Sequence, residues 1–125
     1  MIYLDTHVVA WLFAGEARLF SRQACELIES NDLVASPVVL LELQYLYEIG
    51  RLKTEAAAIS EHLAERMGLQ LCRSSFMQVI SEALLQSWTR DPFDRMIVAA
   101  AKSNNAPLLT KDRTIHEHYA GACWD

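Results

Sequence analysis

Short apolar runs alternate with helix-forming segments along the whole chain, beginning at the first residues. An apolar run that is too short for a helix and is bounded by turn residues is typical of a buried strand. Parallel strands need a helical crossover between them, and such crossovers are right-handed. The pattern therefore predicts an α/β fold with a short, mostly parallel central sheet and helices on both faces. The expected strands are residues 2–4, 33–36, 69–73, 108–110 and 122–124.

Residues that favour helix starts and stops give the expected helix bounds. Ser21, Thr54 and Asp91 suit N-caps, and Pro37 and Pro92 suit first helical positions. We expect a helix over 7–13, a loop over 15–20, and a short helical turn over 116–119. The remaining helices are expected over 22–29, 38–49, 55–67 and 76–84, and from residue 92 to about 103.

Length and composition predict one compact domain that spans residues 1–125. The chain is 52% apolar and 22% charged, which excludes a largely disordered protein. No apolar run approaches the roughly 20 residues of a membrane span, and the first residues lack the basic start of a signal peptide. We therefore expect a cytoplasmic protein that does not bind a membrane.

Cysteine and histidine do not form a recognisable metal motif. The cysteines are odd in number and widely spaced, so we expect small buried residues rather than disulfides; they are Cys25, Cys72 and Cys123. His116 and His118 would point to different sides of a helix, which argues against a shared metal. We interpret all four histidines as solvated polar residues; the other two are His7 and His62.

Two acidic residues lie at or just beyond the ends of predicted strands. Asp5 ends the first strand, and Asp112 comes shortly after the strand over 108–110. In open α/β sheets ligands bind beyond the carboxyl ends of the strands, which is where both side chains would lie. Ordinary capping of the next helix, by Asp5 or by Thr6, is the alternative explanation.

Two further acidic residues share a helix face with apolar side chains. Glu42 has apolar residues three and four positions away on both sides, and Asp94 lies on the face of Ile97 and Val98. Burial of an unpaired carboxylate would cost about 2–7 kcal/mol of stability, or the group would become protonated. Asp91 explains the start of its helix, so Asp94 is not needed as a cap. An arginine partner is the structural alternative for Glu42.

These four carboxylates can reach one edge of the sheet, where their mutual repulsion would call for a hard divalent cation. Asp5, Glu42, Asp94 and Asp112 are therefore the candidate catalytic and metal-binding residues, with Mg²⁺ or Mn²⁺ as the expected ion. Such an ion lowers the pKa of bound water and polarises a phosphoryl oxygen, which favours phosphodiester hydrolysis. The hydroxyl groups beside these elements could orient a water or phosphate or could simply cap helices; they belong to Thr6, Ser36 and Thr110.

Charge is distributed unevenly. The net charge of −5 argues against nucleic-acid binding by bulk attraction alone. Five of the eleven basic residues nevertheless fall between positions 90 and 113. Mixed charges in one segment are often only solvated surface, and the alternative is a site that binds an anionic substrate. The candidate substrate-binding residues are Arg90, Arg95, Lys111 and Arg113.

Other nucleotide or hydrolase motifs are absent. The chain has no G-x-x-x-x-G-K-[ST], no G-x-G-x-x-G and no G-x-S-x-G. A phosphatase of the haloacid dehalogenase type would have D-x-D after the first strand, where this chain has Asp5-Thr6-His7.

Four segments together resemble the acidic motifs of the PIN domain family, and in particular its VapC-type toxins, the ribonucleases of bacterial toxin–antitoxin pairs. The segments are Met1-Ile2-Tyr3-Leu4-Asp5-Thr6-His7-Val8, Ser36-Pro37 with Leu41-Glu42-Leu43, Arg90-Asp91-Pro92-Phe93-Asp94-Arg95-Met96-Ile97, and Leu109-Thr110-Lys111-Asp112-Arg113. The resemblance covers essentially the whole chain. It implies a single PIN-like domain that cleaves RNA endonucleolytically.

The resemblance also assigns roles to residues and partners. It implies that Asp5 and Asp94 are direct Mg²⁺ ligands, that Glu42 and Asp112 complete the acidic quartet, and that Asp91 is an accessory acid or only a cap. It further implies a homodimer and a cognate antitoxin whose tail enters the acidic cleft. Two other functions stay open: another metal-dependent phosphoesterase, and a non-catalytic PIN-like module that binds a basic partner segment.

Overall fold

The computed structural model describes residues 1–125 and contains one five-stranded, fully parallel sheet. Its strands are β1 (Ile2–Leu4), β2 (Leu33–Ala35), β3 (Gln70–Leu71), β4 (Leu108–Leu109) and β5 (Ala122–Cys123). The helices are α1 (Thr6–Ala14), α2 (Arg22–Ser30), α3 (Pro37–Glu48), α4 (Ala56–Met67), α5 (Phe76–Ala83), α6 (Pro92–Ser103) and α7 (Arg113–His118). A 3₁₀ turn, Ala17–Leu19, follows α1. The α/β prediction is confirmed.

The strand order β3-β2-β1-β4-β5 places β1 at the centre of the sheet. Tyr3 pairs with Val34 on one side and with Leu108 on the other. From β1 the chain first proceeds to β2 and β3, and then crosses back to β4 and β5. With right-handed crossovers this reversal puts helices on both faces, and it makes the β1/β4 boundary the switch point where ligands bind in such sheets.

Helix α6 carries much of the core. Its residues 97–101 are all buried, because the helix packs against α5 and α3. Three of these five residues are alanines, whose small side chains allow a close approach on several sides. This packing fixes the first turn of α6, which carries Asp94.

Several local predictions were wrong. Thr54 does not cap α4, because the helix begins one residue later and Gln44 Oε1 accepts the Ala56 N–H at 3.1 Å instead. The predicted strand over 69–73 shortens to β3, since only Gln70 and Leu71 pair with β2. The cysteines are free as expected, but they are half-buried rather than buried.

The C-terminal region also differs from its prediction. Helix α7 begins at Arg113, three residues before the predicted turn, because the Asp112 carboxylate caps it by accepting the Ile115 N–H at 3.0 Å. Trp124 is buried, as the sequence indicated. No helix in the fold has the length and apolar character needed to cross a bilayer.

Candidate active site

Asp5 lies at the carboxyl end of the central strand and is almost fully buried. Its Oδ1 accepts the Thr6 N–H at 2.8 Å, which caps α1, and its Oδ2 accepts the Thr110 hydroxyl at 2.7 Å. Capping therefore explains one carboxylate oxygen. The second oxygen connects Asp5 to β4, 105 residues away in sequence.

The end of β4 places Asp112 beside Asp5. Thr110 is fully buried, and its hydroxyl donates to Asp5 and accepts the Asp112 N–H at 3.0 Å. This single side chain thus joins the ends of the two strands at the switch point. Asp112 is half-buried, with Oδ1 used as the cap of α7.

Glu42 reaches the same region from α3. Its Oε1 accepts a hydrogen bond from the Thr6 hydroxyl at 2.5 Å. The partner of Glu42 is therefore a hydroxyl group and not the arginine of the structural alternative. Burial raises the pKa of Glu42, the Thr6 hydrogen bond opposes the shift, and the charges of Asp5 and Asp91 add to it.

Asp94 lies in the first turn of α6. Asp91 caps that helix, since its Oδ1 accepts the N–H groups of Phe93 at 2.8 Å and Asp94 at 3.4 Å. This leaves the Asp94 carboxylate without a capping role. The pKa of Asp94 is raised to about 7, first by burial and then by the charges of Asp91, Asp5, Asp112 and Glu42. Asp94 therefore lies within reach of the charges of Asp5, Glu42 and Asp112.

The chemistry of this donor set fits a hard divalent cation. No Lys or Arg side chain forms an ion pair with Asp5, Glu42, Asp94 or Asp112. No three acidic, His or Cys side chains stand at ligand spacing, so the quartet is not a closed cage. Mg²⁺ suits this arrangement because it keeps several waters and uses only one or two protein carboxylates.

His7 is a site residue that sequence reasoning missed. Its Nε2 accepts the Lys111 N–H at 3.0 Å, and its Nδ1 lies 3.6 Å from Asp5 Oδ2. Burial lowers the pKa of His7 despite the nearby charges of Asp5 and Asp112. The interpretation as a solvated histidine was wrong at this position. The available signal was its place two residues after Asp5.

The predicted accessory hydroxyls divide into two groups. Thr6 and Thr110 each hydrogen-bond an acidic member of the quartet. Ser36 is buried as well, but its hydroxyl accepts the Val38 N–H at 3.4 Å and only caps α3. The structure therefore brings Thr6 and Thr110 to the acids and leaves Ser36 with a capping role.

The candidate substrate-binding side chains lie at the starts of α6 and α7. Arg90 donates to the Ser87 carbonyl at 2.9 Å, and Arg95 donates through Nε to the Thr89 carbonyl at 2.8 Å. Lys111 and Arg113 are exposed on either side of Asp112. Since none of the four pairs with a carboxylate, their charges are not neutralised within the chain.

Comparison with known proteins gives a consistent result. The family model described as "PIN domain" matches residues 2–121. The chain is 32% identical over 120 residues to Ribonuclease VapC22 of Mycobacterium tuberculosis, covering 94% of this chain and 91% of that protein.

Solved structures share the fold. A toxin–antitoxin complex from Klebsiella pneumoniae contains a chain that is 15% identical with a TM-score of 0.67, covering 98% of this chain and 96% of that one. VapBC2 from Rickettsia felis, solved bound to a DNA fragment from its promoter, contains a chain that is 21% identical with a TM-score of 0.64 and full coverage of both chains.

Proposed function

Because the chain belongs to the PIN domain family, we propose that it is the ribonuclease toxin of a VapBC-like toxin–antitoxin pair, and that it hydrolyses RNA phosphodiester bonds with Mg²⁺. The observation that carries this proposal is that the four acids come to the carboxyl end of the sheet without a Lys or Arg partner, where burial and the neighbouring carboxylates raise the pKa of Asp94 to about 7. Such shifts are costly in a purely structural cluster and are common where a site binds a cation.

Asp5 and Asp94 are the first-choice Mg²⁺ ligands, and Glu42 and Asp112 complete the acidic set. When bound, Mg²⁺ or substituting Mn²⁺ would supply an activated water and positive charge for the phosphoryl oxygens. Thr110 holds Asp5 in place by donating to its Oδ2. Thr6 holds Glu42 by donating its hydroxyl to Oε1, and its backbone N–H donates to Asp5 Oδ1, so Thr6 contacts both carboxylates.

The RNA backbone is proposed to bind the basic residues at the starts of α6 and α7. Arg90, Arg95, Lys111 and Arg113 flank Asp94 and Asp112 in sequence and have no acidic partner in the chain. Arginine and lysine bind phosphates without reading sequence, so these contacts would position the RNA rather than select it. They offset the net charge of −5 only locally.

The proposed protein partners are a cognate antitoxin and a second copy of the chain. The structural neighbours were solved as toxin–antitoxin complexes, and the acidic quartet would attract a basic antitoxin tail. Helix α5 and the residues after it expose a stripe of large apolar side chains, in which Phe76, Met77 and Leu84 are 70%, 67% and 70% exposed. Such a patch is typical of a protein interface, and we assign it to the homodimer.

A substrate comparison tests the enzymatic proposal. We expect the purified, antitoxin-free protein with Mg²⁺ to cleave single-stranded RNA and to leave DNA of the same sequence and nitrophenyl phosphate intact. Addition of EDTA is expected to stop cleavage, and Mn²⁺ to restore it. Equal hydrolysis of DNA or nitrophenyl phosphate would indicate another phosphoesterase. Absence of cleavage on all three substrates would favour a non-catalytic module.

A further inference from the structure

His7 contacts the segment that carries Asp112, although part of its side chain is exposed. The residue is the second of α1, and its side chain is 30% exposed. Its Nε2 accepts the backbone N–H of Lys111 at 3.0 Å, across 104 residues of sequence. The ring also packs against Trp11, with ring centroids 4.9 Å apart. The imidazole is therefore held on two sides.

The Lys111 contact determines which ring nitrogen carries the proton. A nitrogen that accepts a backbone N–H must present a lone pair, so the proton of the neutral ring lies on Nδ1. Nδ1 lies 3.6 Å from Asp5 Oδ2, so its N–H is close to that carboxylate. The same imidazole thus contacts the turn after β4 and faces the acid that ends β1.

The turn from Thr110 to Asp112 depends on few contacts. Thr110 anchors its start, through the hydroxyl shared with Asp5 and through the carbonyl that lies 2.7 Å from His116 Nε2. The hydrogen bond to His7 is the contact that fixes the peptide between Thr110 and Asp112 from α1. Without it, the Lys111 N–H would lose its acceptor within the chain, and the turn would no longer be tied to α1.

We propose that His7 is a positioning residue of the ribonuclease site, in which its Nε2 accepts the Lys111 N–H and so keeps Asp112 beside Asp5. This inference rests on the proposed function, since it concerns the geometry of the same site. It assigns to the third residue of Asp5-Thr6-His7 a role that neither helix capping nor metal binding requires. His7 itself does not contact the substrate or the metal.

Three variants separate this role from a general effect on folding. His7→Phe keeps a ring against Trp11 and removes the acceptor. His7→Gln can place an amide oxygen close to the position of Nε2 and restore the acceptor. His62→Phe is the matched control, because His62 also packs edge-on against an aromatic ring, Phe13, at 5.2 Å and makes no side-chain hydrogen bond.

The first measurement is amide hydrogen exchange at Lys111, which does not need activity. We expect His7→Phe to accelerate exchange at this amide by at least about tenfold while the Leu109 amide is unchanged, because only the former loses its acceptor. His7→Gln is expected to recover most of the protection, and His62→Phe to match the parent. Unchanged exchange in His7→Phe would overturn the proposal.

The second measurement is RNA cleavage with Mg²⁺. Loss of a supporting contact next to metal ligands typically costs about 10–100-fold in activity, so we expect kcat of His7→Phe to fall by that factor with KM for RNA within about twofold. His7→Gln is expected to recover most of kcat. A loss that His7→Gln fails to recover although it restores exchange protection would contradict the positioning role. A parent protein that does not cleave RNA would refute the proposed function and leave the exchange test intact.

Discussion

Replacement of Asp94 by asparagine is expected to stabilise the metal-free protein while it abolishes RNA cleavage. The pKa of Asp94 is raised to about 7 by burial and by four neighbouring carboxylates. An unfolded aspartate titrates near ~4. Below this pH, Asp94 is protonated in both the folded and the unfolded chain, so it does not lower the free energy of unfolding. Between about 4 and 7 the unfolded chain loses this proton first, so stability falls as pH rises and then levels off.

The magnitude follows from the size of this shift. A difference of about three pKa units corresponds to about 4 kcal/mol at full strength. Asp94 is only half-buried, so solvent screening reduces the effect to about 1–2 kcal/mol. For a domain of this length, that range corresponds to a rise of about 3–8 °C in Tm for Asp94→Asn at pH 8. The gain is expected to shrink as the pH is lowered to 5.

Melting curves from pH 5 to pH 8, with and without Mg²⁺, measure this prediction. Without metal, the parent is expected to lose stability toward pH 8 relative to Asp94→Asn. With metal, the parent is expected to recover it, because binding to the folded state adds stability. Asp32→Asn is the matched control, since Asp32 is an exposed acid in the turn after α2. Parallel pH curves for parent and Asp94→Asn would refute the reasoning, as would cleavage by Asp94→Asn at the parent rate.

Three further predictions follow from the same geometry. Thr110→Val removes the hydroxyl that lies between Asp5 and the Asp112 N–H. It is expected to lower the free energy of unfolding in urea by about 1–3 kcal/mol and to slow RNA cleavage. Unchanged stability and turnover would contradict a role for Thr110 in joining the two acids. Met77→Glu is expected to convert the proposed homodimer to a monomer in sedimentation, because it places a charge in the exposed stripe of α5; a dimer that persists would argue for another interface. Arg113→Ala is expected to weaken RNA binding and to make the binding constant less dependent on salt concentration, by the contribution of about one phosphate contact. Arg22→Ala, on the exposed side of α2, is expected to change neither quantity.

The positions of the acids were predictable because they follow from simple rules. A run such as Ile2–Leu4 at the start of the chain reads as a buried strand, and the residue after a central parallel strand lies at the switch point. Asp94 was predicted as a site candidate because Asp91 already explained the cap. These arguments use local sequence and the geometry that all open α/β sheets share.

The contacts that hold the acids in place could not be predicted in the same way. Thr110 bonds Asp5 across 105 positions, and His7 bonds Lys111 across 104, so neither contact has a local pattern. The start of α4 was missed for the same reason, since its cap comes from Gln44 on a different helix. Helix α7 was placed too late because Asp112 was interpreted only as a site residue and not also as a cap.

Titration of Mn²⁺ into the antitoxin-free protein by calorimetry tests the central claim most directly, because it measures the ion site without depending on the choice of RNA. The parent and Asp32→Asn are expected to bind the ion with the same heat, and Asp5→Asn is expected to lose that heat, since Asp5 is a proposed direct ligand. Absence of binding in the parent, or equal binding by the parent and Asp5→Asn, would contradict a metal site built on these four carboxylates.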